Sequence, residues 1–324
     1  LNAAAVSRPF HREDSMNSKR PAFHPGLHRF AQVVMGCTFL LLLAGALVTS
    51  TGSSLSVPDW PLSYGTLFPH MTGGVIFEHG HRLVAGTVSI LMLALASTIQ
   101  RVESRSWVKK LAWSAMGAVL LQALLGGLTV LFHLPTPVSV CHAGLAQIFF
   151  CLVTTLAVVT SKSWIEETPG RLRGLAPSLP TFAAATVAAI YVQVLLGALT
   201  RHSGAGLAMP DFPPAFVPAE WSPLVLIHFC HRLGAVVVTV LVSLLVYRVN
   251  SVGMGETALT RPAIAAGLLL WLQLFLGVMI IVTAKAVVPT SVHVITGAAL
   301  LASTLVTALK CFQLFGDSRS GEGL

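Results

Sequence analysis

Charge is what this chain has least of. Only 10% of its 324 residues are Asp, Glu, Lys or Arg, against roughly 25% in soluble domains. With 54% of residues apolar, a soluble core is excluded and the chain reads as an integral membrane protein. Acidic residues are scarcer still, 12 against 20 Lys and Arg, a formal net charge of +8. In a membrane protein that excess sits in cytoplasmic loops and sets orientation, so no nucleic-acid partner is expected. Cysteine is sparse too. Cys37, Cys141, Cys151, Cys230 and Cys311 all lie within or at the ends of apolar stretches, with no CxxC pair or disulfide framework. They read as small buried residues. No apolar run occurs in residues 1–26, which are expected to form a basic cytoplasmic tail rather than a cleavable signal peptide.

Long apolar runs, by contrast, recur. A helix needs roughly 20 apolar residues to cross a bilayer. Eight segments qualify: 27–49, 76–99, 108–131, 139–160, 180–201, 224–247, 262–284 and 290–312. Lys and Arg crowd the tail (Arg8, Arg12, Lys19, Arg20), the second connection (Arg101, Arg105, Lys109, Lys110), the fourth (Lys162, Arg171, Arg173) and the C-terminal end (Lys310, Arg319). Connections 50–75 and 132–138 contain none. Both termini are therefore expected in the cytoplasm and the odd connections outside.

Histidines open four of these segments. His81, His142, His231 and His293 each fall within about the first eight residues of a segment entering from the outer side. At roughly 1.5 Å per residue, all four share one level in the outer leaflet. An internal duplication accounts for that. Gly45-Ala46-Leu47, Gly52, Leu55, Pro58-Asp59 and Pro61 match Gly197-Ala198-Leu199, Gly204, Leu207, Pro210-Asp211 and Pro213 at an offset of 152. His81-Arg82-Leu83 matches His231-Arg232-Leu233 at 150, and His142 matches His293 at 151. Gln122 with Leu125-Gly126 matches Gln273 with Leu276-Gly277, also at 151. The fold class expected is all-α, with eight transmembrane helices in two tandem, pseudo-twofold-related four-helix bundles. The divisions are a tail 1–26, a bundle 27–160, a linker 161–179, a bundle 180–312 and a tail 313–324. The outer loops 50–75 and 202–223, with Trp60, Tyr64, Phe68, Phe212, Phe216 and Trp221, are expected to fold over the mouths of their bundles. The cytoplasmic connections read as solvated turns.

Ionisable groups inside a membrane are costly and mark functional sites. Each bundle offers one histidine from its second helix and one from its fourth. Two imidazoles facing one cavity suit heme iron. Zinc, which takes three or four protein ligands, would need Glu78 or His228 to join. Arg82 and Arg232 are candidate partners for heme propionates, the alternative being arginines that snorkel to the headgroups. Glu78 shares a helix face with His81, while the matching position holds His228. A carboxylate beside one pocket only suggests one reactive half and one redox half; a structural hydrogen-bonding Glu78 is the competing reading. His79 faces away from the Glu78–His81 face. Gln122, Gln193 and Gln273, each in Gln-x-x-Leu-Gly, read as packing positions.

These residues resemble the heme A synthase family along nearly the whole chain. The likeness is carried by Glu78-x-x-His81-Arg82, His142, His231-Arg232, His293 and the loop from Gly52 to Pro58-Asp59-Trp60-Pro61. The resemblance implies conversion of heme O to heme A for cytochrome oxidase. It implies substrate heme O on His81 and His142, a resident heme b between His231 and His293, and Glu78 as the catalytic carboxylate. It implies a bacterial inner membrane, with heme O synthase, oxidase assembly factors and a second copy of the chain as candidate partners. No copper site is expected. One departure is that residues 50–75 contain no cysteine, where some members have a pair. A di-heme electron carrier using the same histidines, and a transporter with a histidine–glutamate proton relay, are the rival readings.

Overall fold

The computed structural model describes residues 21–211, 217–218, 220–253 and 255–316. Arg8, Arg12, Lys19, Arg20, Arg319 and the loop residues Phe212, Pro213 and Phe216 lie outside them. Among the described residues the regular structure is helical: α1 Pro25–Ser50, α2 Gly74–Val102, α3 Ser106–Leu131, α4 Thr136–Val159, a single turn α5 Lys162–Ile165, α6 Leu179–His202, α7 Pro223–Val252, α8 Thr257–Val282 and α9 Val287–Phe315. All but α5 are long and apolar enough to span a bilayer, as the sequence predicts. The spans run a few residues past the apolar runs at most ends.

Local sequence explains the helix ends. Proline stands in the first turn of α1, α4, α6 and α7, where its missing N–H has no helical partner to lose. Ser222 caps α7 by accepting the Val225 N–H. The turns α3–α4 and α8–α9 use two consecutive left-handed residues, His133-Leu134 and Ala284-Lys285. Both turns close the same way: Leu134 N–H donates to Thr129 O at 2.7 Å and Lys285 N–H to Ile280 O at 2.8 Å. The duplication thus extends to backbone geometry that carries no glycine signal.

α1 packs on α2, α2 on α3, α3 on α4, and α4 back on α1. Helices α6, α7, α8 and α9 repeat this ring. The rings meet where α1 packs on α9 and α4 packs on both α6 and α9. Half of the α4 span and 44% of the α9 span are buried, against 17–28% elsewhere, which places these two at the centre. Buried apolar clusters fill the end of each ring away from loops 51–73 and 203–222. They open on Val88, Phe149, Val238 and Leu300, each seven residues after one of the four histidines. The histidines therefore stand two helical turns above the packed core.

The linker after α4 is more than a solvated turn. Gly170 N–H and Leu172 N–H donate to Gln313 O and Leu314 O on the end of α9, both at 2.8 Å. The buried Lys310 ammonium donates to Ser163 O and the Gln313 carboxamide and lies over the Trp164 ring. Arg171 bridges to Glu256 at 2.7 Å.

Candidate functional site

Each of the four histidines lies against a glycine of the preceding span. A Cβ on Gly45 (α1) would stand 3.1 Å from His81 Cε1. Gly126 (α3) stands likewise to His142 and Gly197 (α6) to His231, both at 3.1 Å, and Gly277 (α8) to His293 at 3.6 Å. At 45, 126 and 197 a Cβ would press on the imidazole, so glycine lets the ring approach the helix backbone unhindered, whereas at 277 a Cβ would make an ordinary contact. His142 lies within electrostatic range of His81, and His231 of His293, so the pairs form within each ring.

The glutamines four residues before these glycines hold the histidines. Gln122 Nε2 donates to His142 O at 2.9 Å. Gln193 Nε2 donates to His231 O at 2.8 Å and lies 3.1 Å from its Nδ1. Gln273 Nε2 lies 3.1 Å from His293 Nε2. The sequence reading takes the three Gln-x-x-Leu-Gly segments as packing positions and does not reveal this role. The signal was present, because all four glycines precede outer connections and recur in the same repeat as the histidines. At the remaining position, four residues before Gly45, stands Leu41.

Glu78 is buried, at 4% exposure, and both of its oxygens are engaged. Oε2 accepts the Val57 N–H at 2.9 Å and Oε1 accepts from Arg82 at 2.8 Å. Arg82 in turn donates to the carbonyls of Asp59, Leu62 and Val57 at 2.7, 2.7 and 3.2 Å. The neighbouring His79 pairs with Ser63 Oγ through Nδ1 at 2.8 Å, which accounts for its place off the His81 face. Loop 51–73 is thereby tied down on α2. Its Trp60 ring lies where a Cβ of Gly127 would be, 2.6 Å from Cδ2, one residue past the glycine under His142. Within the loop, Asp59 accepts from Tyr64 N–H and Gly65 N–H at 2.7 and 2.8 Å, and the Tyr64 hydroxyl donates to Ser56 O. The Gly65 N–H is the main reason the Asp59 carboxyl is held below its usual range; desolvation opposes it, and the Tyr64 N–H and Arg82 charge assist.

The second ring repeats one clamp and changes another. Arg232 donates to Met209 O, the counterpart of Val57 at the 152 offset. His228 replaces Glu78; it is buried, and its Nδ1 has no hydrogen-bond partner.

A heme fits these residues. Nδ1 of His81, His142 and His293 is buried without a protein partner, a rare condition that a ligand would relieve. The glycines form a cradle, and two imidazoles per ring are the donor set that an iron porphyrin takes. Among the described residues no three His, Cys, Asp or Glu side chains converge as a metal site, so the ligand count suits zinc poorly.

Fold and site together define a multi-pass helical membrane protein with two histidine pairs at one end of two repeated helix rings. The COX15-CtaA model, described as cytochrome oxidase assembly protein, matches residues 73–305, and the chain belongs to that family. Relatives carry the name heme A synthase. That of Bacillus licheniformis is 32% identical over 185 residues, 56% of this chain and 61% of its own length. That of Bacillus pumilus is 31% identical over 74% of this chain and 80% of its own. That of Shouchella clausii is 28% identical over 90% and 97%.

Proposed function

We propose that the chain is a heme A synthase, an oxidoreductase that converts the C8 methyl group of heme O to a formyl group through a hydroxymethyl intermediate. Water supplies the oxygen, so each methyl group gives up four protons and four electrons, and the electrons must pass to an external acceptor. The observation that carries the reading is the histidine-on-glycine cradle, present in both rings, with a buried carboxylate beside only one of them. The family membership and the relatives' names support it.

On this reading His81 and His142 hold the substrate heme O, and Gly45 and Gly126 set the level of the two rings. Heme b is held by His231 and His293 and supplies one-electron redox capacity. Glu78 is the catalytic carboxylate, placed to take protons or to stabilise positive charge developing on substrate. Its tie to Val57 N–H and Arg82 keeps loop 51–73 over the site. Arg82 and Arg232 keep their proposed role as propionate partners alongside their hold on the loops. The chain would sit in a bacterial inner membrane with both termini cytoplasmic and the heme sites toward the outer leaflet. Heme O synthase and oxidase assembly factors are its candidate partners, and a second copy of the chain is another.

The test is heme extraction and chromatography from cells that lack their own heme A synthase and express this chain with a heme O synthase. Heme A or its hydroxymethyl precursor is expected. Unchanged heme O, with b-type heme in both rings of the purified protein, would favour the di-heme electron carrier instead.

A further inference from the structure

Arg201 lies near the end of α6, at the seam where the two rings meet, and its contacts run both ways. Its Nη2 donates to Ala46 O at 2.9 Å and to Ser50 Oγ at 2.8 Å, both on α1. Ala46 follows Gly45, the glycine beneath His81. Ser50 Oγ also receives the Ser291 hydroxyl at 2.9 Å from α9, two residues before His293. Arg201 lies within electrostatic range of His293 itself. One guanidinium thus holds the helix that seats the first histidine pair and faces the second.

Among the described residues no carboxylate pairs with Arg201. An uncompensated, largely buried charge in an apolar span is costly and points to function. The duplication sharpens the point. The position 152 residues earlier is Thr49, so the charge exists on one side only. Beside the first pair, Glu78 and Arg82 neutralise each other at 2.8 Å.

We infer that Arg201 is a positioning residue for electron transfer: its fixed charge raises the reduction potential of an iron held by His231 and His293, while its bonds to α1 fix that site against the other. The inference rests on the reading that this pair holds a heme. Reduction of ferric to ferrous iron removes one positive charge, so a nearby cation favours the reduced form, and weak screening in an apolar span preserves the effect.

The experiment is a redox titration of the purified full-length protein, followed by the absorbance of its bound b-type heme. Arg201→Gln removes the charge and Arg201→Lys retains it. The Gln variant is expected to shift the ferric-to-ferrous ratio about tenfold toward ferric at a given potential, a midpoint lower by about 59 mV. The Lys variant should stay near wild type. An unchanged Gln midpoint, or a Lys midpoint that falls as far, overturns the inference. Should the Gln variant fail to accumulate, Ser50→Asp sets a carboxylate against the intact guanidinium and must lower the midpoint; no change there overturns it equally. Wild-type protein without b-type absorbance would overturn the heme reading, and this inference with it, before any variant is titrated.

Discussion

Gly45 of α1 and His81 of α2 are packed so closely that a Cβ at position 45 would stand 3.1 Å from the imidazole Cε1. The same spacing holds between Gly197 and His231, whereas Gly277 leaves His293 3.6 Å. The difference separates two outcomes. Gly197→Ala should displace His231, cost about 1–3 kcal/mol in local packing, and weaken the b-type spectrum of purified protein. Gly277→Ala should leave that spectrum unchanged, since ordinary van der Waals room remains. Equal behaviour of the two variants would show that the glycines do not set the ring positions.

Much of this was legible in the sequence. Eight apolar runs gave the spans because a bilayer demands their length, and the 150–152 offsets gave the matching of His81 to His231 and of His142 to His293. The hold on loop 51–73 was not legible. Glu78 and Arg82 look like site residues in a motif, and nothing in the spacing shows their bonds to Val57, Asp59 and Leu62, which depend on how an irregular loop returns to α2. The paired left-handed residues His133-Leu134 and Ala284-Lys285 were equally silent, because neither pair contains the glycine or asparagine that usually marks such a turn. Arg201 was visible only as a charge at a span's edge; its meaning depends on α1 and α9, which are far away in sequence.

Gln193 is a further difference between the two rings. Its amide lies 3.1 Å from His231 Nδ1, while the related position in α1 is Leu41. Partners that orient a ligating histidine are typically worth about 10–100-fold in affinity. Gln193→Leu, which makes the second ring resemble the first, should therefore speed heme loss from purified protein to an apo-globin acceptor by about that factor. A transfer rate equal to wild type would assign Gln193 to helix packing alone.

Glu78→Gln replaces an oxygen by a donor opposite either Val57 N–H or Arg82, so one buried contact becomes donor against donor. The loss of one buried bond is about 1–3 kcal/mol, enough to speed amide exchange at Val57 by about 5–150-fold. Heme A should disappear from cell extracts while the b-type spectrum persists, because His231 and His293 are untouched. Full heme A production would remove Glu78 from the chemistry, and unchanged exchange at Val57 would remove it from the loop.

Asp59 gives the loop a pH dependence whose sign is fixed. Its carboxylate accepts from Gly65 N–H and Tyr64 N–H, which hold its pKa below the usual 3.8. The turn is thus fully held above that value and loosens as pH falls through the lowered one. The Trp60 contribution to fluorescence, isolated from the other five tryptophans by subtracting a Trp60→Phe variant, should be flat at neutral and weakly acidic pH and change only below about 4. Asp59→Asn, with a donor in place of one acceptor, should show the loosened signal at every pH. A wild-type transition near neutrality would mean that another group, not Asp59, governs the loop.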